Sequence, residues 1–155
     1  MIKLVCAGRL KERFYADGAA YYQSRASKSV PIQIIEVPDE SAPENLSEAQ
    51  KRKIKEKEGE AILRQINAAT TVVALDMNGE KFSKAEIGAI IRKHSGDVAF
   101  VIGGSLGLGE NVRKRADYRW SLSEMTLPHQ LARVAVVSTL CNVIRRAFNL
   151  SCNWK

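Results

Sequence analysis

The chain has few cysteines and no long apolar run. Cys6, Cys141 and Cys152 are an odd number without short paired spacing, so neither a disulfide framework nor a zinc motif is indicated. No metal site is expected, and the thiols are expected to be reduced. No segment approaches the length of a membrane span, and the apolar stretch from Ile2 to Ala7 is too short for a signal peptide. These features predict a cytoplasmic protein with no membrane partner. Internal repeats, low-complexity tracts and Gly/Ser linkers are also missing, so the 155 residues are read as one domain, 1–155.

What is present suits a folded chain. Apolar residues make up 45%, enough for a real core, while 26% charged and 6% aromatic residues are ordinary for a globular protein. Lys and Arg total 24 against 17 Asp and Glu, a formal +7. That excess favours a polyanionic partner, RNA, DNA or an anionic surface, through counterion release, although it also serves solubility alone.

Short apolar runs alternate with segments of helical period, which predicts an α/β fold with a mainly parallel sheet covered by helices. Ile2–Ala7 reads as a first strand, followed by a helix from about Leu10 to Ala26. Pro31–Val37 reads as a second strand. Ser47 with Gln50 forms a capping box for a basic helix running to about Ile66, where i, i+4 pairs such as Arg52 with Glu56 fit a solvated face better than a direct RNA contact. Thr71–Asp76 is a third strand, after which Asn78-Gly79 signals a turn. Ser83 with Glu86 caps a helix ending near His94, and Val98–Ile102 is apolar throughout, as a central strand covered on both faces would be. The last helix, from about Gln130 to Phe148, is apolar nearly all round. In so short a chain that pattern suggests a subunit interface as well as a core face, and on base rates a symmetric homodimer.

Two segments carry candidate chemistry. Ile102-Gly103-Gly104-Ser105-Leu106-Gly107-Leu108-Gly109 follows the buried strand, and its glycines let main-chain N–H groups approach a ligand. It lacks the Gly-Lys-Ser/Thr ending of a P-loop and the spacing of a dinucleotide fingerprint. Taken alone it fits a tight turn as well as a site. The second segment is Trp120-Ser121-Leu122-Ser123-Glu124-Met125-Thr126-Leu127-Pro128-His129-Gln130-Leu131-Ala132-Arg133, which is apolar and hydroxyl-rich and ends in Pro-His before a helix.

These two segments in order, with Arg115-Ala116-Asp117 between them, resemble the bacterial family that methylates N3 of a pseudouridine in 23S ribosomal RNA, part of the SPOUT superfamily of knotted methyltransferases. Val37-Pro38-Asp39-Glu40, Lys55-Glu56-Lys57-Glu58-Gly59-Glu60 and Ala74-Leu75-Asp76 match as well, and the likeness extends to about Arg133. The resemblance implies a C-terminal trefoil knot, S-adenosyl-L-methionine as cofactor and 23S rRNA, in the ribosome or large subunit, as partner. By position it places the cofactor among Leu75, Gly103, Gly104, Ser123, Glu124, Met125, Thr126, Leu127 and Pro128. Main-chain groups there would bond the adenine edge, and Leu75, Leu122, Met125 and Leu127 would enclose its faces. His129 is the candidate to hydrogen-bond the substrate and Arg133 to supply positive charge near the base or a phosphate. As lone side chains, Leu122, Met125 and Leu127 fit a core and His129 fits a helix start.

Beyond Arg133 the sequence departs from the family. Members continue with a Glu-Gln-Leu/Ile-Tyr-Arg-Ala-Phe/Trp helix and end in Pro-Tyr-His and a basic residue, whereas this chain reads Val134 to Phe148 and closes Asn149-Leu150-Ser151-Cys152-Asn153-Trp154-Lys155. Arg146-Ala147-Phe148 restores part of the motif if about one helical turn is inserted. Trp154 and Lys155 offer stacking and phosphate contact in place of the missing Tyr-His. Two readings compete with an active methyltransferase: a noncatalytic RNA- or ribosome-binding module, and, from the glycine loop alone, a nucleotide-binding metabolic enzyme.

Overall fold

Every residue of Val98–Ile102 is buried, as a strand with no polar face requires. In the computed structural model, which describes all residues except 41, 42, 96, 124, 126 and 148–155, this strand is β4 at the centre of the sheet. The elements run β1 (Ile2–Ala7), α1 (Arg13–Ala26), β2 (Ile32–Val37), α2 (Glu48–Leu63), β3 (Thr71–Glu80), α3 (Lys84–Lys93), β4, α4 (Glu110–Arg115), β5 (Tyr118–Trp120) and α5 (His129–Ala147). The strand order is β2-β1-β4-β3-β5, and every pairing is parallel. The expected α/β fold with a parallel sheet is therefore present.

Side chains alternate between two cores. Ile2, Leu4, Cys6, Val73, Val98, Phe100 and Ile102 face α1, α3 and α5, while Val5, Ala7, Val72, Ala74 and Val101 face α2 and α4 through Ile62 and Val112. Period-two alternation with apolar residues at both phases is what makes these strands read as unbroken apolar runs.

Both capping boxes form. Ser47 and Gln50 bond reciprocally at the start of α2, as do Ser83 and Glu86 at the start of α3, satisfying N–H groups that a helix start otherwise leaves open. The exposed charges of α2 include the pairs Lys51–Glu48 and Arg64–Glu60, and Lys57 reaches Glu40.

One expectation is corrected, and two features gain a structural explanation. Asn78 and Gly79 do not end β3 but lie within it, where the pairing slips so that Leu75 and Glu80 both face Trp120. Asp76 accepts the Asn78 N–H at 3.0 Å, and a side chain on Gly79 would meet the Arg119 main chain at 2.6 Å, so the glycine serves close strand packing rather than a hairpin. The three-residue strand β5 carries too short a pattern to be read. It is fixed by Asp117, whose carboxylate accepts from the Val72 N–H at 2.8 Å and whose own N–H donates to the Val72 carbonyl. Finally, the apolar girth of α5 has an explanation inside the chain, because the helix packs against α1, α3 and β4 at once.

Phe100 is fully buried in the middle of the sheet and meets Trp120 edge to face at 6.1 Å. Phe100→Ala should lower stability by about 3–5 kcal/mol, read as a fall in urea midpoint at unchanged m-value.

Candidate active site

The carboxyl ends of β3, β4 and β5 open onto one cleft of about 650 Å³, the place where parallel sheets ordinarily hold ligands. Three stretches of chain supply most of its lining, with Arg113 and Ala132 completing it. Leu75 to Asn78 come from β3, Ile102 to Leu108 from β4 and the glycine loop, and Trp120 to Ser123 with Met125, Leu127, Pro128 and His129 from the segment that joins β5 to α5. The two segments singled out in the sequence, separated by a helix and a strand, thus share one wall-to-wall space.

The glycine loop is shaped by close main-chain contact. Gly107 adopts φ +88° and donates its N–H to the Gly104 carbonyl at 3.0 Å. A Cβ on Gly103 would lie 2.6 Å from the Gly107 carbonyl oxygen, so the loop returns on itself more tightly than any side chain allows. Across the cleft, Ser121 anchors its segment by donating its main-chain N–H to Glu80 at 2.8 Å and its hydroxyl to the Ser123 carbonyl at 3.0 Å. The Ser123 hydroxyl in turn accepts the Met125 N–H at 3.1 Å.

Among the residues expected to hold a cofactor, Leu75, Gly103, Gly104, Ser123, Met125, Leu127 and Pro128 all border this cleft. Glu124 and Thr126 lie outside the described residues, as do Trp154 and Lys155. Leu75 and Leu122 rest partly on the core, whereas Met125 is 74% exposed. A glycine-walled main-chain cradle beside Leu75, Leu122 and Leu127 fits a flat, apolar-faced heterocycle with polar edges.

His129, the first residue of α5, lines the cleft. Arg133 does not. It is 2% exposed, with Nη1 on Glu36 Oε2 at 2.5 Å and Nη2 on the Gly8 carbonyl at 2.7 Å. Its charge is committed to the ends of β1 and β2, where it clamps the first turns of α5 to the sheet. The expected charge beside a base or phosphate is not where the buried guanidinium lies. Beneath it, burial pushes the Cys6 thiol up to about 12, more than nearby Arg133 lowers it, so this cysteine is an inert core residue.

Sequence reading missed Asp76, Arg113 and Trp120 as cleft residues. Asp76 is buried and accepts from Arg113 Nε at 3.1 Å, with Arg119 Nη1 at 3.6 Å. Its place in the matched Ala74-Leu75-Asp76 run was the available signal. The two arginines come from α4 and β5, elements whose approach only the tertiary structure reveals.

Comparison with known proteins agrees with this arrangement. A family model described as "Predicted SPOUT methyltransferase" matches residues 1–153. A protein of Lactiplantibacillus plantarum named ribosomal RNA large subunit methyltransferase H is 46% identical over 155 residues, covering 97% of this chain and 94% of the relative. One of the same name from Alkaliphilus oremlandii is 40% identical over 148 residues, covering 93% of each. A probable methylase family protein from Haemophilus influenzae superposes with a TM-score of 0.52 at 15% identity, covering 99% of this chain and 71% of that one. The A. aeolicus TrmH/SpoU tRNA modifying enzyme does so with a TM-score of 0.52 at 14% identity, covering 95% and 75%. These two likenesses concern the fold. With the family matched along nearly its whole length and its segments gathered around one cleft, the chain belongs to the SPOUT methyltransferase family.

Proposed function

We propose that the chain is an rRNA methyltransferase of the large ribosomal subunit that uses S-adenosylmethionine to methylate N3 of a pseudouridine in 23S rRNA. One observation carries this reading: the glycine loop and the described residues between Ser121 and His129, distant in sequence, border a single cleft at the carboxyl ends of the central strands. Relatives at 40–46% identity bear the name of an rRNA large subunit methyltransferase, and the net charge of +7 suits a nucleic-acid partner.

When bound, the cofactor supplies a methyl group on a positively charged sulfur, which leaves as a neutral thioether as the new N–CH3 bond forms, so one proton must depart from N3. The chain's own residues have two tasks, placement and management of that proton. Main-chain groups of Gly103, Gly104, Ser123, Met125, Leu127 and Pro128 would hold the donor, with Leu75 and Leu127 enclosing it. His129, at the cleft, hydrogen-bonds the base or receives the proton. Arg133 acts from behind, holding α5 so that His129, one turn earlier, keeps its place.

The same reading carries a trefoil knot, a homodimer and a cytoplasmic location. Support for a dimer comes from α1 and α5, which pack together and leave Phe14, Tyr21 and Leu131 exposed. Among the described residues no helix is long and apolar enough to cross a membrane.

The deciding experiment incubates the full chain and labelled S-adenosylmethionine with ribosomes whose pseudouridine is unmethylated, and locates the methyl group by mass spectrometry. Methyl at N3 is expected. A bound cofactor without transfer would overturn the enzyme reading and leave the noncatalytic module.

Two substitutions refine the roles. His129→Ala should lower the transfer rate about a hundredfold or more, in the range of a lost acid–base group. Arg133→Ala leaves Glu36 and the Gly8 carbonyl without their donor, and should cost about 1–3 kcal/mol in chemical denaturation together with activity. Arg133→Lys should recover little of either, because an ammonium cannot reproduce the forked contact.

A further inference from the structure

The acid Glu58 lies against the glycine loop without any part in the chemistry described. It sits on α2, is 4% exposed, and its Oε2 has no hydrogen-bond partner among the described residues. It does not line the cleft, yet it touches the cleft's floor: a Cβ on Gly104 would lie 2.6 Å from Glu58 Oε2 and 3.0 Å from Oε1. The main chain of the loop therefore rests directly on the carboxyl group.

We propose that Glu58 is a positioning residue that supports the Gly103–Gly107 loop in its neutral, protonated form, so that ionisation of Glu58 weakens the grip on the methyl donor. This rests on the cofactor reading above.

The surroundings leave an ionised Glu58 poorly compensated. The loop from Gly103 to Gly109 contains no charged residue. The segment after β2 supplies Asp39 and Glu40, both of like sign, and the Glu40 carboxylate is already paired with Lys57 of α2 at 3.2 Å. Burial, reinforced by Asp39 and Glu40, pushes the carboxyl up to about 7 against one opposing main-chain hydrogen bond from Glu40. A buried carboxylate with an unpartnered oxygen is costly, and the available relief is to draw away from Gly104 towards water. The contact beneath the loop would be lost with that movement.

Neighbouring packing makes the loop sensitive to such a shift. Gly59, next to Glu58, is pressed by the Asn111 side chain, which donates to the Glu56 carbonyl at 2.9 Å, and Gly109 closes on the Lys55 main chain. Both ends of the loop's tail are thus referenced to the turn of α2 that bears Glu58.

The test compares wild type with Glu58→Gln, which keeps the shape and cannot ionise. Calorimetry measures the Kd for S-adenosylmethionine from pH 6 to 8.5, with titration of the ligand's own groups common to both proteins. If only the neutral form binds well, apparent affinity follows its population. Wild type should then lose about thirtyfold in affinity across this range, and Glu58→Gln should match it at pH 6 but lose less than about twofold by pH 8.5. At saturating cofactor the two transfer-rate profiles should share one shape. In the ligand-free wild type, the Gly103 and Gly104 amide resonances should titrate near neutrality and stay still in Glu58→Gln.

The sign is also fixed for stability. The folded chain holds a proton that the unfolded chain releases in the ordinary carboxylate range, so this group's contribution falls as pH rises from there through about 7. Wild type should lose thermal stability relative to Glu58→Gln over that interval. Parallel affinity loss in both proteins, or amides that do not titrate, would overturn the proposal. If neither protein binds the donor at any pH, the cofactor reading fails, and the amide titration alone decides the role of Glu58.

Discussion

A strand with no polar face must be covered on both sides, and the burial of β4 sets the conditions for everything around it. With Val98, Phe100 and Ile102 turned to one core and Val101 to the other, two helical layers are obligatory and the strand can only be central. Its C-terminal end then emerges at the middle of the sheet edge, between the ends of β1 and β3. The next residues are Gly103 and Gly104, so the segment best able to bring main chain against a ligand is delivered to the place where the neighbouring strands leave a crevice. Hydrophobic burial supplies the position, and the glycines beyond the strand supply the access.

Charge is used mainly to hold this arrangement in place. Arg133 spends its guanidinium on Glu36 and Gly8, and Arg115 spends its own on the carbonyls of Asn67, Ala68 and Thr70. Arg113 and Arg119 flank the buried Asp76. Such cations are positional parts, each fastening a late element, α4, β5 or α5, to earlier chain in or next to the sheet. The attraction of the whole chain for a polyanion must therefore come from the remaining surface lysines and arginines, acting at a distance through net charge.

Local rules were enough for much of the fold. The two capping boxes were visible because each is complete within four residues, and β4 because its composition permits no other environment. The matched motifs also named most of the residues that border the cleft. What stayed hidden depends on pairs far apart in the chain. Gly79 packs against Arg119, 40 positions away in number, and so a dipeptide that signals a turn sits inside a strand. Strand β5 exists because Asp117 bonds Val72. Arg133 read as a charge for the base or a phosphate because its partners, Glu36 and Gly8, lie more than 90 residues earlier. The all-round apolar α5 was ambiguous for a similar reason: an intrachain sandwich between α1 and α3 and an intersubunit face leave the same trace in sequence.

The cleft divides its work between main chain in front and side chains behind. Grip by peptide groups needs positions without Cβ, but such a loop has few internal contacts and must borrow rigidity from its neighbours. Here the lenders are Glu58 below Gly104, Asn111 against Gly59 and the serine bonds across the cleft. An aliphatic residue at position 58 would fill the space under Gly104 without any liability to ionise, so the presence of an acid there is a cost that packing alone does not explain. Its conformation is coupled to a proton and through that proton to Asp39 and Glu40, which follow β2. The same strand carries Glu36, the partner of Arg133. The β2 end of the sheet thereby reaches both sides of the cleft, the loop through Glu58 and the helix bearing His129 through Arg133, although none of its residues lines the space itself.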